Sequence, residues 1–389
     1  MTRCRLGIEK VIEQGPAGTR RIGLLSNQSA ILPDGTTVWQ ALRNAGFPIV
    51  RLFAPEHGFL AAAQDTVPVE DTALEGVETV SLYGVRKQPA PEHLSDLDVL
   101  LVDIQDVGCR YYTYLYTVAA AIEQCARTNT EVVVCDRPNP IGASIVEGGA
   151  VAEEASSEVG GYGLAQRHGL TLCEFVRYLT REYVPAAPIR YAWMDGYTRD
   201  TRFEHTGLPW KQPSPNLPSI ETARVYPGTC LFEGTTVSEG RGTTRPFEII
   251  GAPWVRAEEL RDALSELLLP GVAFSTEDFT PTFSSFAEEA CRGVQLHVTD
   301  PETFRPLYTG VHMIIAIKEH APEHFSWRPL WEDPSRSFAD RLAGGDTFRK
   351  FVDRGAGAEE AYAVLCRGGE QFREARVQAL YYDYAEGGL

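Results

Sequence analysis

Ile49-Val-Arg-Leu-Phe-Ala-Pro-Glu-His-Gly-Phe59 decides the fold. Its apolar residues Ile49, Val50, Leu52 and Phe53 suit a sheet strand covered on both faces. Pro55 has no N–H to give a ladder and Gly58 permits a sharp turn, so the strand stops there. Glu56 and His57 therefore emerge just beyond its C-terminal end. In open α/β sheets that rim is where ligands bind.

Working outward, Arg21 to Asn27 forms a short apolar strand ending in Ser26, Asn27 and Gln28. A turn at Pro33-Asp34-Gly35 leads to a helix from about Thr36 to Asn44, which Gly46 is placed to end. Past the Glu56 strand come a short strand over Glu78 to Tyr83 and a long one over Leu97 to Asp103, with Gln105 and Asp106 at its end. A helix from about Tyr112 to Arg127 then leads to a strand over Glu131 to Asp136, followed by Arg137-Pro-Asn-Pro140. Strands separated by helices in this way indicate βαβ units and a parallel sheet. Asn27, Glu56, Asp103 and Asp136 are expected along one rim.

Beyond these strands, Ile145-Val-Glu-Gly-Gly149 carries Glu147, and Arg167-His168-Gly169 precedes a helix that begins at Leu170, where Thr171 and Glu174 have capping-box spacing. Pro213 and Pro215 hold the loop Trp210 to Asn216 extended and position Asn216, and Gly228 to Pro246 concentrates Glu233, Glu239, Arg241 and Arg245 among glycines. After Phe247 the texture changes to a helix over about Arg256 to Leu268, apolar strands such as Gly293 to Val298 and His312 to Ile317, and a helical tail. The expected fold is α/β: a Rossmann-like, mostly parallel sheet domain over residues 1–245, followed by a smaller α+β domain over residues 246–389. The cleft between them is the natural pocket.

The net charge of −17 argues against a nucleic-acid or anionic-membrane surface, either of which needs a basic field. An anionic substrate must then be met by locally placed arginines. Residues 1–15 lack a continuous apolar stretch of the export type, and no run is long enough to span a bilayer. The eight cysteines are scattered without CxxC pairs, which suits reduced, buried thiols, so a cytoplasmic location is expected. His320-Ala-Pro-Glu-His324 has zinc-peptidase spacing, but Pro322 disfavours the helix that would align its ligands. The first strand lacks a G-x-G-x-x-G turn, so neither metal nor nucleotide, and no other cofactor, is expected.

Several stretches carry a family likeness: Phe53-Ala-Pro-Glu-His-Gly-Phe59, Asp103-Ile-Gln-Asp-Val-Gly108 with Arg110-Tyr-Tyr-Thr-Tyr114, Asp136-Arg-Pro-Asn-Pro140, Arg167-His-Gly169, Pro213-Ser-Pro-Asn216 and Tyr226 to Trp254. In order and content the chain resembles the exo-acting β-N-acetylmuramidases of the NamZ type, from about Gly7 to the C-terminus. The resemblance implies a glycoside hydrolase that removes terminal N-acetylmuramic acid from the non-reducing end of peptidoglycan fragments. It also implies a Rossmann-like domain with a smaller companion, a catalytic cleft between them, and a catalytic role for Glu56. Many relatives follow the Pro-Glu-His-Gly motif with Arg-Gly, whereas Leu60-Ala61 stands here. Relatives are often exported, so the expected absence of a leader turns the reading toward internalised fragments.

Glycoside hydrolysis commonly uses two carboxyl groups, one protonated to assist the leaving oxygen and one ionised to activate water or attack the anomeric carbon. Glu56 is expected as general acid/base. Glu147 and Glu239 lead the candidates for the second carboxyl, with Asp103 and Asp136 behind them. A 2-acetamido sugar also permits attack by its own carbonyl, which Asp103 or Asn139 would orient. The lactyl carboxylate needs a cation, for which Arg110, Arg167 and Arg241 are candidates. Tyr111 and Tyr112 offer apolar cover for a sugar face. Asn27, His57, Gln105, His168 and Asn216 complete the expected substrate contacts. The competing class is a non-catalytic muropeptide or amino-sugar binder, which needs no protonated glutamate beside a glycosidic oxygen.

Overall fold

The computed structural model describes residues 4–16, 18–64, 67–151, 153–184, 187–330 and 332–383. Positions 1–3 of the expected first domain and 384–389 of the expected tail lie outside the described residues. Seven strands form the main sheet: β1 (Ile22–Leu25), β2 (Ile49–Ala54), β3 (Thr72–Leu74), β4 (Val77–Ser81), β5 (Val99–Val102), β6 (Glu131–Cys135) and β7 (Ile189–Ala192). Their order is β3-β4-β2-β1-β5-β6-β7. Every pairing is parallel except β3 with β4, an antiparallel addition at one edge.

Alternation along the strands explains why the apolar runs are continuous. Leu25, Phe53, Leu100, Val102, Val132 and Val134 point into one core, while Leu24, Leu52, Leu101, Val133 and Cys135 point into another on the opposite face. Both faces are dry, as a parallel sheet between helices requires. The first core also takes in the helices Tyr114–Thr128 and Leu172–Glu182, and the second takes in Val38–Asn44. Local signals hold at the helix ends: Thr37 and Thr171 each accept the backbone N–H three residues on.

A second, antiparallel sheet has the order β8-β10-β9, with β8 spanning Ile249–Ala252, β9 Val272–Phe279 and β10 Cys291–Val298. The run His312 to Ile317, expected as a strand, lies inside the helix Pro306–His320. Proline at the first turn suits a helix start, and burial from Leu307 to Ile317 makes the helix apolar all round, so the short run carried no helical period. It crosses the helix Ile220–Thr229 at two glycines. A Cβ on Gly228 would stand 1.8 Å from the Pro306 carbonyl oxygen, and one on Gly310 would stand 2.5 Å from that of Gly228. Gly228→Ala is therefore expected to lower stability by about 3 kcal/mol, readable as an earlier thermal transition, because the contact is backbone and cannot yield.

The two sheets share one continuous core, in which Leu25 and Val102 join Val294 and Leu296 through the intervening helices. The chain then returns to the first sheet. Tyr381 stacks on Trp193 at 3.9 Å, and the Tyr382 hydroxyl donates to Asp136 Oδ2 at 2.6 Å. The rim of the parallel sheet is thus roofed by the second layer, and a cavity remains between them.

Candidate active site

Backbone conformation at the end of β2 sets one wall. His57 and Gly58 take φ of +70° and +76°, and the Gly58 N–H donates to the Pro55 carbonyl at 3.0 Å. His57 holds the turn from the far side, its Nδ1 lying 2.8 Å from the Ala63 carbonyl. A carbonyl only accepts, so Nδ1 carries the proton. This bend swings Glu56, 8% exposed, toward the start of the helix Tyr114–Thr128, where Thr113 Oγ1 donates to its Oε2 at 2.6 Å.

The glycine-rich segment before β8 sets the opposite wall. Phe247 takes φ of +64° and donates its N–H to the Glu239 carbonyl at 2.6 Å, folding the loop back on itself. Glu239 is buried, with Oε1 3.3 Å from Arg241 Nε and Oε2 without a hydrogen-bond partner among the described residues. Arg241 also pairs with Glu233, Nε to Oε1 at 2.9 Å, and lies 4.9 Å over the Phe247 ring. Burial pushes the Glu239 carboxyl up to about 7, the nearby Glu233 charge adds to the rise, and Arg241 opposes it. This carboxyl keeps its proton to higher pH than an ordinary glutamate.

Between the walls lies a cavity of about 600 Å³ lined by Glu56, His57, Tyr111, Tyr112, Thr113, Asn216, Tyr226, Glu233, Glu239, Arg241, Phe247 and Arg328, among others. Tyr111 meets the Tyr226 ring edge-on at 6.3 Å and Tyr226 meets Phe247 at 4.8 Å, which gives one aromatic side. Asn216 donates from Nδ2 to Gln64 Oε1 at 2.9 Å. A second cavity of about 750 Å³ shares Tyr83, Lys87, Thr113 and Glu158 with the first and adds the stacked rings of Tyr116 and Tyr162. Seven of the residues singled out from sequence therefore meet on one surface: Glu56, His57, Tyr111, Tyr112, Asn216, Glu239 and Arg241.

The others are engaged elsewhere. Asp103 is fully buried against Arg137, and Asp136 accepts from Thr171 Oγ1, the Cys173 N–H and Tyr382, with burial pushing it up to about 7. Asn27 binds the Tyr114 hydroxyl and Ser29, while Gln105 donates to the Asp106 and Pro138 carbonyls. Asn139 donates to the Leu170 carbonyl and accepts from the Ile141 N–H. His168 accepts the Leu170 N–H at Nδ1 and sets Nε2 3.3 Å from Asp106. Arg110 is spent on the carbonyls of Gly149, Leu164 and Leu342, and Arg167 donates to that of Ile141. These side chains tie the loops behind the rim rather than face the cavity.

Glu147, expected as a second catalytic carboxyl, stands at a helix start away from the lining of the main cavity. Its carboxylate caps the helix Pro306–His320, accepting the Leu307 N–H at 3.2 Å and the Tyr308 N–H at 2.7 Å. Those N–H groups are orphan donors at a helix start. Glu147→Ala is expected to cost about 2 kcal/mol of stability while the purified protein keeps its turnover, measured as melting temperature beside kcat.

Sequence reasoning missed Thr113, although it stands inside a quoted motif, because a helix-start threonine has a local use. It gave Glu233 and Arg328 no role; Arg328 lies in an irregular segment without periodicity or motif.

Comparison with known proteins bears on this arrangement. Residues 22–221 match the family described as exo-β-N-acetylmuramidase NamZ, N-terminal, and residues 224–382 match its C-terminal counterpart. The chain is 39% identical over 366 residues, 93% of this chain and 87% of the relative, to the peptidoglycan β-N-acetylmuramidase NamZ of Bacillus subtilis strain 168. It belongs to the NamZ family. Crystal structures of two DUF1343 family proteins from Bacteroides fragilis NCTC 9343 have TM-scores of 0.87 and 0.77 with this chain, at 29% and 27% identity. Each comparison covers 98% of this chain and 100% of the other. Both halves of the NamZ family match contribute to the cavity: Glu56 and Thr113 come from the N-terminal part, Glu239 and Arg328 from the C-terminal part.

Proposed function

We propose that the protein is an exo-β-N-acetylmuramidase, hydrolysing terminal N-acetylmuramic acid from the non-reducing end of peptidoglycan-derived saccharides and muropeptides. The observation that carries the chemistry is the pair Glu56 and Glu239, delivered by different layers to one cavity, with the Glu239 carboxyl pushed up to about 7 by burial. A carboxyl raised in this way suits the proton donor, which assigns the acid role to Glu239. Glu239 donates its proton to the glycosidic oxygen as the C–O bond breaks. Glu56, oriented by Thr113, takes a proton from the water whose oxygen joins the anomeric carbon. One water is consumed, and each product leaves with a hydroxyl.

The tyrosine-lined neighbouring cavity gives the leaving saccharide a place beyond the scissile bond. We assign the activity to the cytoplasm. All eight cysteines are free thiols, seven of them buried, which supports a reducing compartment. Among the described residues no helix is long and apolar enough to cross a membrane.

The test is chromophore release from an aryl β-N-acetylmuraminide beside the matching β-N-acetylglucosaminide. Release from the muraminide is expected. No release from either, with muropeptide binding still measurable by calorimetry, overturns the enzyme in favour of a binder.

A further inference from the structure

N-Acetylmuramic acid differs from N-acetylglucosamine by a 3-O-lactyl group, which puts one carboxylate on the sugar. A site that selects it needs a cation not already neutralised by the protein. Four Lys or Arg side chains line the main cavity: Lys87, Arg241, Arg328 and Arg341. Lys87 lies 3.6 Å from Glu158, Arg341 pairs with Glu332 and stands 3.8 Å from Glu158, and Arg241 is held by Glu233 and Glu239. Arg328 differs. Its guanidinium donates from one Nη to the Ser285 hydroxyl at 2.6 Å, and no carboxylate among the described residues comes within 4.0 Å of it.

The position of Arg328 is fixed from both sides. Its N–H donates to the Gly234 carbonyl at 2.8 Å, and its own carbonyl accepts from the Phe338 N–H at 3.0 Å and the Ser337 hydroxyl at 2.9 Å. Ser285 belongs to the loop between β9 and β10, which is tied to Gly242 through the Thr282 N–H at 2.9 Å. The guanidinium is near enough to Glu239 for its charge to act on that carboxyl. A planar fork held half-buried by a neutral hydroxyl, in a protein of net charge −17, is preorganised for an anion.

We propose that Arg328, braced by Ser285, binds the lactyl carboxylate and makes the site select N-acetylmuramic acid over N-acetylglucosamine. The assignment rests on the proposed muramidase activity and replaces Arg110 and Arg167, neither of which lines the main cavity.

The experiment measures kinetics on both aryl glycosides and calorimetric binding of the two free monosaccharides, for wild type, Arg328→Ala and Arg328→Lys. The alanine variant is expected to lower kcat/KM on the muraminide about 10- to 100-fold, mostly through KM, and to lose the binding preference for N-acetylmuramic acid. Binding of N-acetylglucosamine is expected to stay unchanged. Lysine restores part of the loss, as a point charge without the fork. A muraminide preference that survives in Arg328→Ala overturns the assignment, and so does an equal loss of binding for both sugars. If wild type cleaves neither glycoside the muramidase reading falls, and the monosaccharide preference then decides Arg328 on its own.

Discussion

Glu56→Gln is expected to lower kcat/KM on an aryl β-N-acetylmuraminide by about 1,000-fold with the fold intact, the scale of a lost proton-transfer group. The substitution is isosteric, and the amide oxygen can still accept from Thr113 Oγ1, so the turn Pro55–Gly58 keeps its support. What disappears is the capacity to take a proton. The loss should therefore fall on kcat, leave the melting temperature within about a degree of wild type, and be similar for aryl leaving groups of high and low pKa. Thr113→Val should cost less, because it misorients the carboxylate without removing it. Near-normal kcat in Glu56→Gln would make this glutamate a turn residue and sink the assignment.

The contrast between Glu56 and Glu147 shows how far sequence carries. Both follow apolar segments and both are followed by glycine-containing turns, so local pattern ranks them together. The difference is tertiary: the strand before Glu56 ends at the roofed rim, whereas Glu147 meets the start of a helix 160 residues later in the chain. The parallel sheet was legible because burial on both faces leaves continuous apolar runs in β1, β5 and β6, and one broken only by Arg51 in β2. The same rule misled at His312 to Ile317, since a helix buried all round has the same local appearance as a buried strand. Arg328 was illegible for another reason. The role proposed for it rests on the carboxylates that its neighbours have and it lacks, which only the assembled cavity displays.

Glu239 is expected to set the pH dependence of turnover. Its carboxyl is pushed up to about 7, first by burial and then by the charge of Glu233. A proton donor is competent below its pKa and lost above it, so kcat/KM is expected to fall as pH rises through about 7. Glu233→Gln removes a charge that raises Glu239, so the alkaline limb should move to lower pH. Glu239→Gln should slow a poor leaving group about 100- to 1,000-fold, and a good one such as dinitrophenolate far less, because that group departs without a proton. The two glutamates thus separate by leaving-group dependence: Glu56→Gln is slow on every aglycone, Glu239→Gln only on those that need assistance. An alkaline limb unmoved by Glu233→Gln, together with equal losses on good and poor leaving groups in Glu239→Gln, would take the acid role from Glu239. The disaccharide, whose leaving sugar hydroxyl is a poor leaving group, is where the acid matters most.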